Sequence, residues 1–215
     1  MTVAYHRKPV LWDVDLDIPP GSLHGDPTRL QQALLNQADS LDALSEANEY
    51  YFKASQVRPN DPIVALNYEM ARRYLTAIED FNRAQWDLVI EELEFVYSEN
   101  PAFASGTATQ TLYDSYLARG SDRISAADYE AALVDFQRAS EIAFKKGDAA
   151  LLIIKAQSEM ARTLGLLGRY AEAVAIYQEA VSNGGLTELA RRENQDIYYN
   201  LVNAQLSLEA GNLKT

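Results

Sequence analysis

Residues 168–180 read Gly-Arg-Tyr-Ala-Glu-Ala-Val-Ala-Ile-Tyr-Gln-Glu-Ala. Within this stretch Tyr170, Ala173, Tyr177 and Ala180 follow one another at offsets of three, four and three residues. Such offsets place all four side chains on one face of a helix, where the alanines allow a neighbouring helix to come close and the tyrosines fill the space beside it. The stretch therefore predicts a buried helix that starts directly after a tight turn at Gly168.

The same spacing occurs three times upstream. It is found at Leu44, Ala47, Tyr51 and Ala54, at Trp86, Val89, Leu93 and Val96, and at Tyr129, Ala132, Phe136 and Ala139. The first residues of the four stripes are 42, 43 and 41 residues apart. A fixed period of this length indicates stacked units that bury their apolar faces only against their neighbours.

Each stripe follows another segment with helical spacing, so each unit is predicted to be a pair of helices. We expect the first helices of the pairs at residues 28–40, 62–82, 104–119 and 149–167, and a further first helix at 189–209. Before residue 25 the pattern differs, because residues 3–18 alternate apolar and polar side chains as a strand does. We therefore expect an extended arm at 1–24 and a helical repeat domain at 25–215.

The motif Gly168-Arg169-Tyr170, with Ala173, Tyr177 and Ala180, resembles the tetratricopeptide repeat (TPR). The usual repeat has 34 residues, so a period of about 42 is similar to the long-repeat branch of that family. The resemblance implies an all-α fold, a right-handed superhelical solenoid of about nine helices in antiparallel pairs. It also implies a noncatalytic scaffold whose first helices line a concave groove that binds a peptide or a partner helix.

The arm carries a second resemblance. Residues 1–23, with Tyr5, are similar to the opening strands of ABC-transporter ATP-binding subunits, in which a tyrosine at this place stacks on adenine. The phosphate-binding loop Gly-x-x-x-x-Gly-Lys-Ser/Thr does not occur anywhere in the chain, so nucleotide hydrolysis is not expected. A degenerate nucleotide-binding fusion is left as an alternative, and so is an edge that pairs with a second chain.

Charge and composition exclude several classes of function. The chain has 215 residues and a net charge of −12, which repels phosphate backbones and anionic membranes, so we expect neither nucleic acid nor membrane as a partner. It has no cysteine, and its two histidines, His6 and His24, both lie in the arm. We therefore expect no enzyme activity, no metal and no cofactor, and a cytoplasmic protein that binds other proteins.

Candidate contact residues are the basic, amide and tyrosine side chains of the first helices. Basic residues on these helices would give an acidic protein a locally positive groove, and tyrosine offers much contact area with few torsions. The predicted partner-binding residues are Arg29, Asn36, Asn67, Tyr74, Tyr116, Lys155, Arg162 and Tyr198. Ion pairing of the basic residues with neighbouring glutamates is the competing interpretation.

The last predicted helix supports a second hypothesis, which is self-assembly of a fragment of a larger repeat protein. Leu201, Val202, Leu206 and Leu208 have no following helix in the sequence to cover them. Solenoids need polar capping at their ends. A homodimer formed through this helix or through the arm is therefore the alternative to a peptide-binding groove.

Overall fold

The computed structural model describes residues 41–146, 150–182 and 197–212. These residues form eight α-helices, one short 3-10 turn at Phe103–Gly106 and no strand, which confirms the all-α prediction. The helices are α1 Leu41–Val57, α2 Pro62–Asn82, α3 Trp86–Glu99, α4 Thr107–Ser125, α5 Tyr129–Lys146, α6 Ala150–Leu166, α7 Tyr170–Ala180 and α8 Ile197–Asn212. The arm and the predicted helix at 28–40 lie outside the described residues.

The chain divides into two compact units, Met1–Thr111 and Leu112–Thr215, with the division inside α4. In the first unit α2 packs against both α1 and α3. In the second unit α6 packs against α5 and α7, and α8 packs mainly against α7. Each of these central helices therefore has two of its faces taken up by neighbours.

The predicted contact stripes are helical and buried. The stripe residues with at most 6 % exposure are Tyr51 and Ala54 on α1, Val89, Leu93 and Val96 on α3, Ala132, Phe136 and Ala139 on α5, and Ala173, Tyr177 and Ala180 on α7. The leading residues Trp86, Tyr129 and Tyr170 are half-buried, and the side chains of Leu44 and Ala47 lie outside the description. The three-four-three spacing thus identified the core of the second helices.

Three helix pairs are joined by the same turn. In each turn one residue adopts the left-handed conformation two positions before the second helix, and these residues are Ala84 (φ 55°), Ala127 (φ 59°) and Gly168 (φ 73°). Their spacing of 43 and 41 residues reproduces the sequence period. A left-handed residue is the common way to end an α-helix and reverse the chain.

The hydrogen bonds of the three turns are also the same. The N–H after the left-handed residue donates to a carbonyl five residues back, from Gln85 to Asp80 at 2.9 Å, from Asp128 to Arg123 at 2.8 Å and from Arg169 to Leu164 at 2.8 Å. The left-handed residue itself donates three residues back in every case. This pair of bonds is the Schellman motif, which satisfies carbonyls at the end of the first helix.

A small residue stands seven positions before each turn. Ala77, Gly120 and Ala161 occupy this place in α2, α4 and α6, and all three are buried. At Gly120 a Cβ atom would lie 2.6 Å from Cε1 of Phe136 on α5, so any side chain at this position would require the ring to shift. Small residues at a fixed phase therefore set the close approach within the pairs.

The bounds of two first helices differ from the prediction. Helix α4 was predicted at 104–119 but starts at Thr107, because Ala104 (φ 52°) and Ser105 (φ 55°) are left-handed and interrupt the helix. It continues to Ser125 because the turn comes only at Ala127. The last first helix, predicted at 189–209, extends to Asn212 in α8, and its predicted part at 189–196 lies outside the described residues.

The expectation that the apolar residues of α8 are uncovered was wrong for Leu201. Leu201 is 8 % exposed and belongs to the core cluster of the second unit with Ala204, Ile154, Leu164 and Tyr177. Val202 and Leu208 are half-buried, and Leu206 remains 57 % exposed. Helix α8 therefore buries one face against the preceding helices and exposes another.

Candidate functional site

Three of the predicted contact residues are buried. Tyr74 is 4 % exposed, packs edge-on against Phe103 with ring centroids 6.1 Å apart and hydrogen-bonds with Thr111. Burial raises the pKa of the Tyr74 hydroxyl above its usual value. Asn67 is 4 % exposed on the same helix, α2. Both side chains belong to the packing of the first unit and offer little surface to a partner.

Tyr116 also lies in the interior, with 8 % exposure. The guanidinium carbon of Arg119 is 5.3 Å from the centroid of its ring, a cation–π distance. Asn67, Tyr74 and Tyr116 were expected in a groove because they lie on first helices. They are buried because first helices have a neighbour on two sides, which leaves only a narrow face exposed.

Lys155 and Arg162 are exposed, as a partner-binding role requires. Seven residues separate them on α6, which is two helical turns, so they share one face. Glu159 lies between them, and its Oε2 is 3.1 Å from Nη1 of Arg162. Leu166, which is 48 % exposed, continues the same face one turn further along. We call Lys155, Glu159, Arg162 and Leu166 the α6 face.

The ion pair between Arg162 and Glu159 on the α6 face is accessible to solvent. The Arg162 side chain is 54 % exposed and that of Glu159 is 34 % exposed. Exposed pairs of this kind contribute about 0–1 kcal/mol to stability. A carboxylate from a partner can therefore replace Glu159 as the ligand of Arg162 at little cost to the fold, while Lys155 and Leu166 supply a second charge and an apolar contact.

Two buried tyrosines, Tyr113 and Tyr177, lie close to the α6 face. The Tyr113 hydroxyl donates to the carbonyl oxygen of Leu152 at 2.9 Å, which fixes α4 against the start of α6. Burial raises the pKa of Tyr113, and the negative charges of Asp114 and Glu159 raise it further. Burial likewise raises the pKa of Tyr177 to about 12, with a smaller raising effect of Glu159 and a lowering effect of Arg162. Charges of the α6 face thus lie close enough to both buried tyrosines to influence their pKa values.

The other basic residues of the described first helices are engaged in ion pairs within the fold. In the first unit Arg73 donates to Glu69 at 2.7 Å and to Glu92 at 2.8 Å, and its guanidinium carbon is 4.4 Å from the Phe95 ring centroid. Arg72 hydrogen-bonds Glu69 at 2.8 Å, and this bond is the main reason why the pKa of Glu69 is lowered. Arg72 and Arg73 therefore fit the alternative interpretation, in which basic residues pair with neighbouring glutamates and do not bind a partner.

The structure does not describe the side chains of the remaining three predicted contact residues. Arg29 and Asn36 lie outside the described residues, and Tyr198 lies in the first turn of α8 with a side chain that is not described. Within the described ranges no three His, Cys, Asp or Glu side chains come together as metal ligands. None of the helices in this part of the chain is long and apolar enough to cross a membrane.

The sequence-based reasoning missed Leu166, although a signal was present. Lys155, Glu159, Arg162 and Leu166 follow one another at offsets of four, three and four residues, the spacing of one helix face.

Comparisons of this chain with family models, with curated proteins and with solved structures found no match. The α6 face is thus identified by its exposure, charge and spacing alone.

Proposed function

We propose that this protein is a noncatalytic interaction module of tetratricopeptide-like helix pairs, and that a protein segment binds to the α6 face. The observation that carries the proposal is the exposed pair Lys155 and Arg162 on one face of a first helix. The repeated turns at Ala84, Ala127 and Gly168 support the pairing of helices that the resemblance implies. The right-handed superhelical stacking of the pairs and the cytoplasmic location belong to the same proposal.

The chemistry of the α6 face favours a segment with a carboxylate and an apolar side chain. Lys155 and Arg162 are two turns apart, about 10 Å along the helix axis, which suits two carboxylates or one carboxylate and a backbone carbonyl. Leu166 adds an apolar contact at one end of the face. In a protein of net charge −12 such a site also reduces the repulsion that an acidic segment meets elsewhere.

The test is selection of peptides from a display library on the wild-type protein, followed by affinity measurement. The double variant Lys155→Glu, Arg162→Glu should bind the selected peptides at least about tenfold more weakly, because two attractive charges become repulsive. The matched control is Lys53→Glu, Arg83→Glu, which makes the same change of charge at two exposed residues of the first unit. The control should keep the wild-type affinity within about twofold.

Three outcomes contradict the proposal. One is a library that yields no peptide with saturable binding to the wild-type protein. Another is equal affinity of the selected peptides for the wild type and the Lys155→Glu, Arg162→Glu variant, with circular dichroism showing that both proteins are folded. Weakening by the control variant alone would place the binding surface in the first unit and contradict the proposal as well.

A further inference from the structure

Helix α8 has an exposed face with an unusual composition. Asn203, Leu206, Ser207 and Ala210 follow one another at offsets of three, one and three residues, which is one helix face. Asn203, Leu206 and Ala210 are exposed and Ser207 is half-buried. We call these four residues the α8 face. None of the described helices covers it, because α8 directs Leu201 and Ala204 to the core instead.

The α8 face contains no charged residue, although the protein has a net charge of −12. Residues 197–208 contain no Asp, Glu, Lys or Arg, and Glu209 is the one charged residue of α8. Each of the other described helices carries at least two charged residues. Two copies of a chain with net charge −12 repel each other over most of their surface. At α8 they can meet without placing like charges opposite each other.

We infer that the α8 face binds the α8 face of a second copy of this chain, related by a two-fold axis. A two-fold contact requires a surface that is complementary to itself. The amide of Asn203 both donates and accepts hydrogen bonds, so it can pair with its own symmetry mate. The small residues Ser207 and Ala210 allow the two helices to come close, and Leu206 loses its 57 % exposure in the contact.

The size of the face makes this dimer weak. A helix of 16 residues is about 24 Å long, and one helix pair buries less than the roughly 1,200 Å² of a standard interface. We therefore expect a weak dimer that forms reversibly as the protein concentration is raised. Because salt screens the repulsion between two acidic chains, the dimer should become stronger as salt is raised from about 0.02 to about 0.5 M.

The experiment is sedimentation equilibrium of the full chain over a range of concentrations at low and high salt. The first variant is Leu206→Glu, which places two like charges at the centre of the contact and should abolish dimerisation. Its matched control is Val134→Glu, which also replaces an exposed apolar side chain by glutamate. Val134 is 63 % exposed and lies on α5, away from the α8 face. The control should dimerise with the dissociation constant of the wild type.

A second pair of variants changes charge without changing shape. Asn203→Asp on the α8 face should weaken the dimer at least about tenfold, whereas Gln205→Glu, on another face of α8, should leave it within about threefold of the wild type. A wild-type chain that stays monomeric at high concentration and high salt overturns the inference. So does a dimer that Leu206→Glu and Asn203→Asp leave intact. The α6 face is unchanged in all four variants, so this test is independent of the proposed peptide binding.

Discussion

Arg119 and Asp135 are joined by two parallel hydrogen bonds between α4 and α5. Nη2 of Arg119 lies 2.7 Å from Oδ1 of Asp135 and Nε lies 3.1 Å from Oδ2. Arg123 adds a third bond to Oδ2 at 2.8 Å. The Asp135 side chain is fully buried. One carboxylate therefore receives two guanidinium groups, and it is the main polar link between the two helices.

Removing the charge of Asp135 should destabilise the protein strongly. In Asp135→Asn the two guanidinium groups lose their shared counter-ion in a partly buried site, and we expect a loss of about 2–4 kcal/mol in the free energy of unfolding. Glu141→Gln is the matched control, because Glu141 pairs with Arg138 at an exposed site and should cost less than about 1 kcal/mol. Urea unfolding measures both values, and equal losses would contradict the assignment.

Glycine at position 120 is required by the packing of Phe136. The added methyl group of Gly120→Ala would lie 2.6 Å from the Phe136 ring, which would have to shift within the core because its side chain is 1 % exposed. We expect a loss of about 1–3 kcal/mol. Gly165→Ala is the opposite case, because nothing lies within 4 Å of the new atom, and it should stabilise the helix by about 0.5–1 kcal/mol. Thermal unfolding of the two variants should therefore shift in opposite directions.

The three left-handed turn residues should respond to substitution with opposite signs. Gly168→Ala introduces a side chain into a left-handed conformation and should destabilise the protein by about 1 kcal/mol. Ala127→Gly and Ala84→Gly remove such a side chain and should stabilise it by about 0.5 kcal/mol, since the gain is partly offset by the greater freedom of glycine in the unfolded chain. Urea unfolding tests this, and loss of stability in both glycine variants would contradict it.

Burial of Tyr177 should make stability depend on alkaline pH. Its pKa is raised to about 12, above the value of about 10 in an unfolded chain, so the neutral phenol is favoured in the folded state. The corresponding stability is complete below pH 10 and is lost as the pH rises toward 12. Tyr177→Phe removes this titration, so the fall in unfolding free energy from pH 9.5 to 11.5 should be about 2 kcal/mol smaller than in the wild type. Equal falls would contradict the prediction.

The second helices could be predicted from the sequence because burial follows a strict period there. Tyr177 and Phe136 stand on stripes in which small and aromatic residues alternate along one helix face. The turns were predicted less completely. Gly168 signals a left-handed residue, but Ala84 and Ala127 carry no such signal, because residues with a Cβ atom rarely adopt a positive φ.

The exposed faces of the first helices could not be predicted in the same way. A first helix such as α2 or α6 contacts two neighbours, so its apolar and polar residues are distributed over several faces and the period is less informative. Tyr74 and Tyr116 were expected at the surface for this reason and are buried. Asp135 is the converse case, an acidic residue whose burial depends on arginines 12 and 16 residues earlier in the chain.

The most direct test of the account is a map of the surface that a bound segment contacts. NMR amide chemical shifts of the full chain should be recorded with and without a peptide selected from the display library. We expect the largest changes at Lys155, Glu159, Arg162 and Leu166 on α6. Changes confined to other helices, with none on α6, would contradict the claim that this face binds a protein partner.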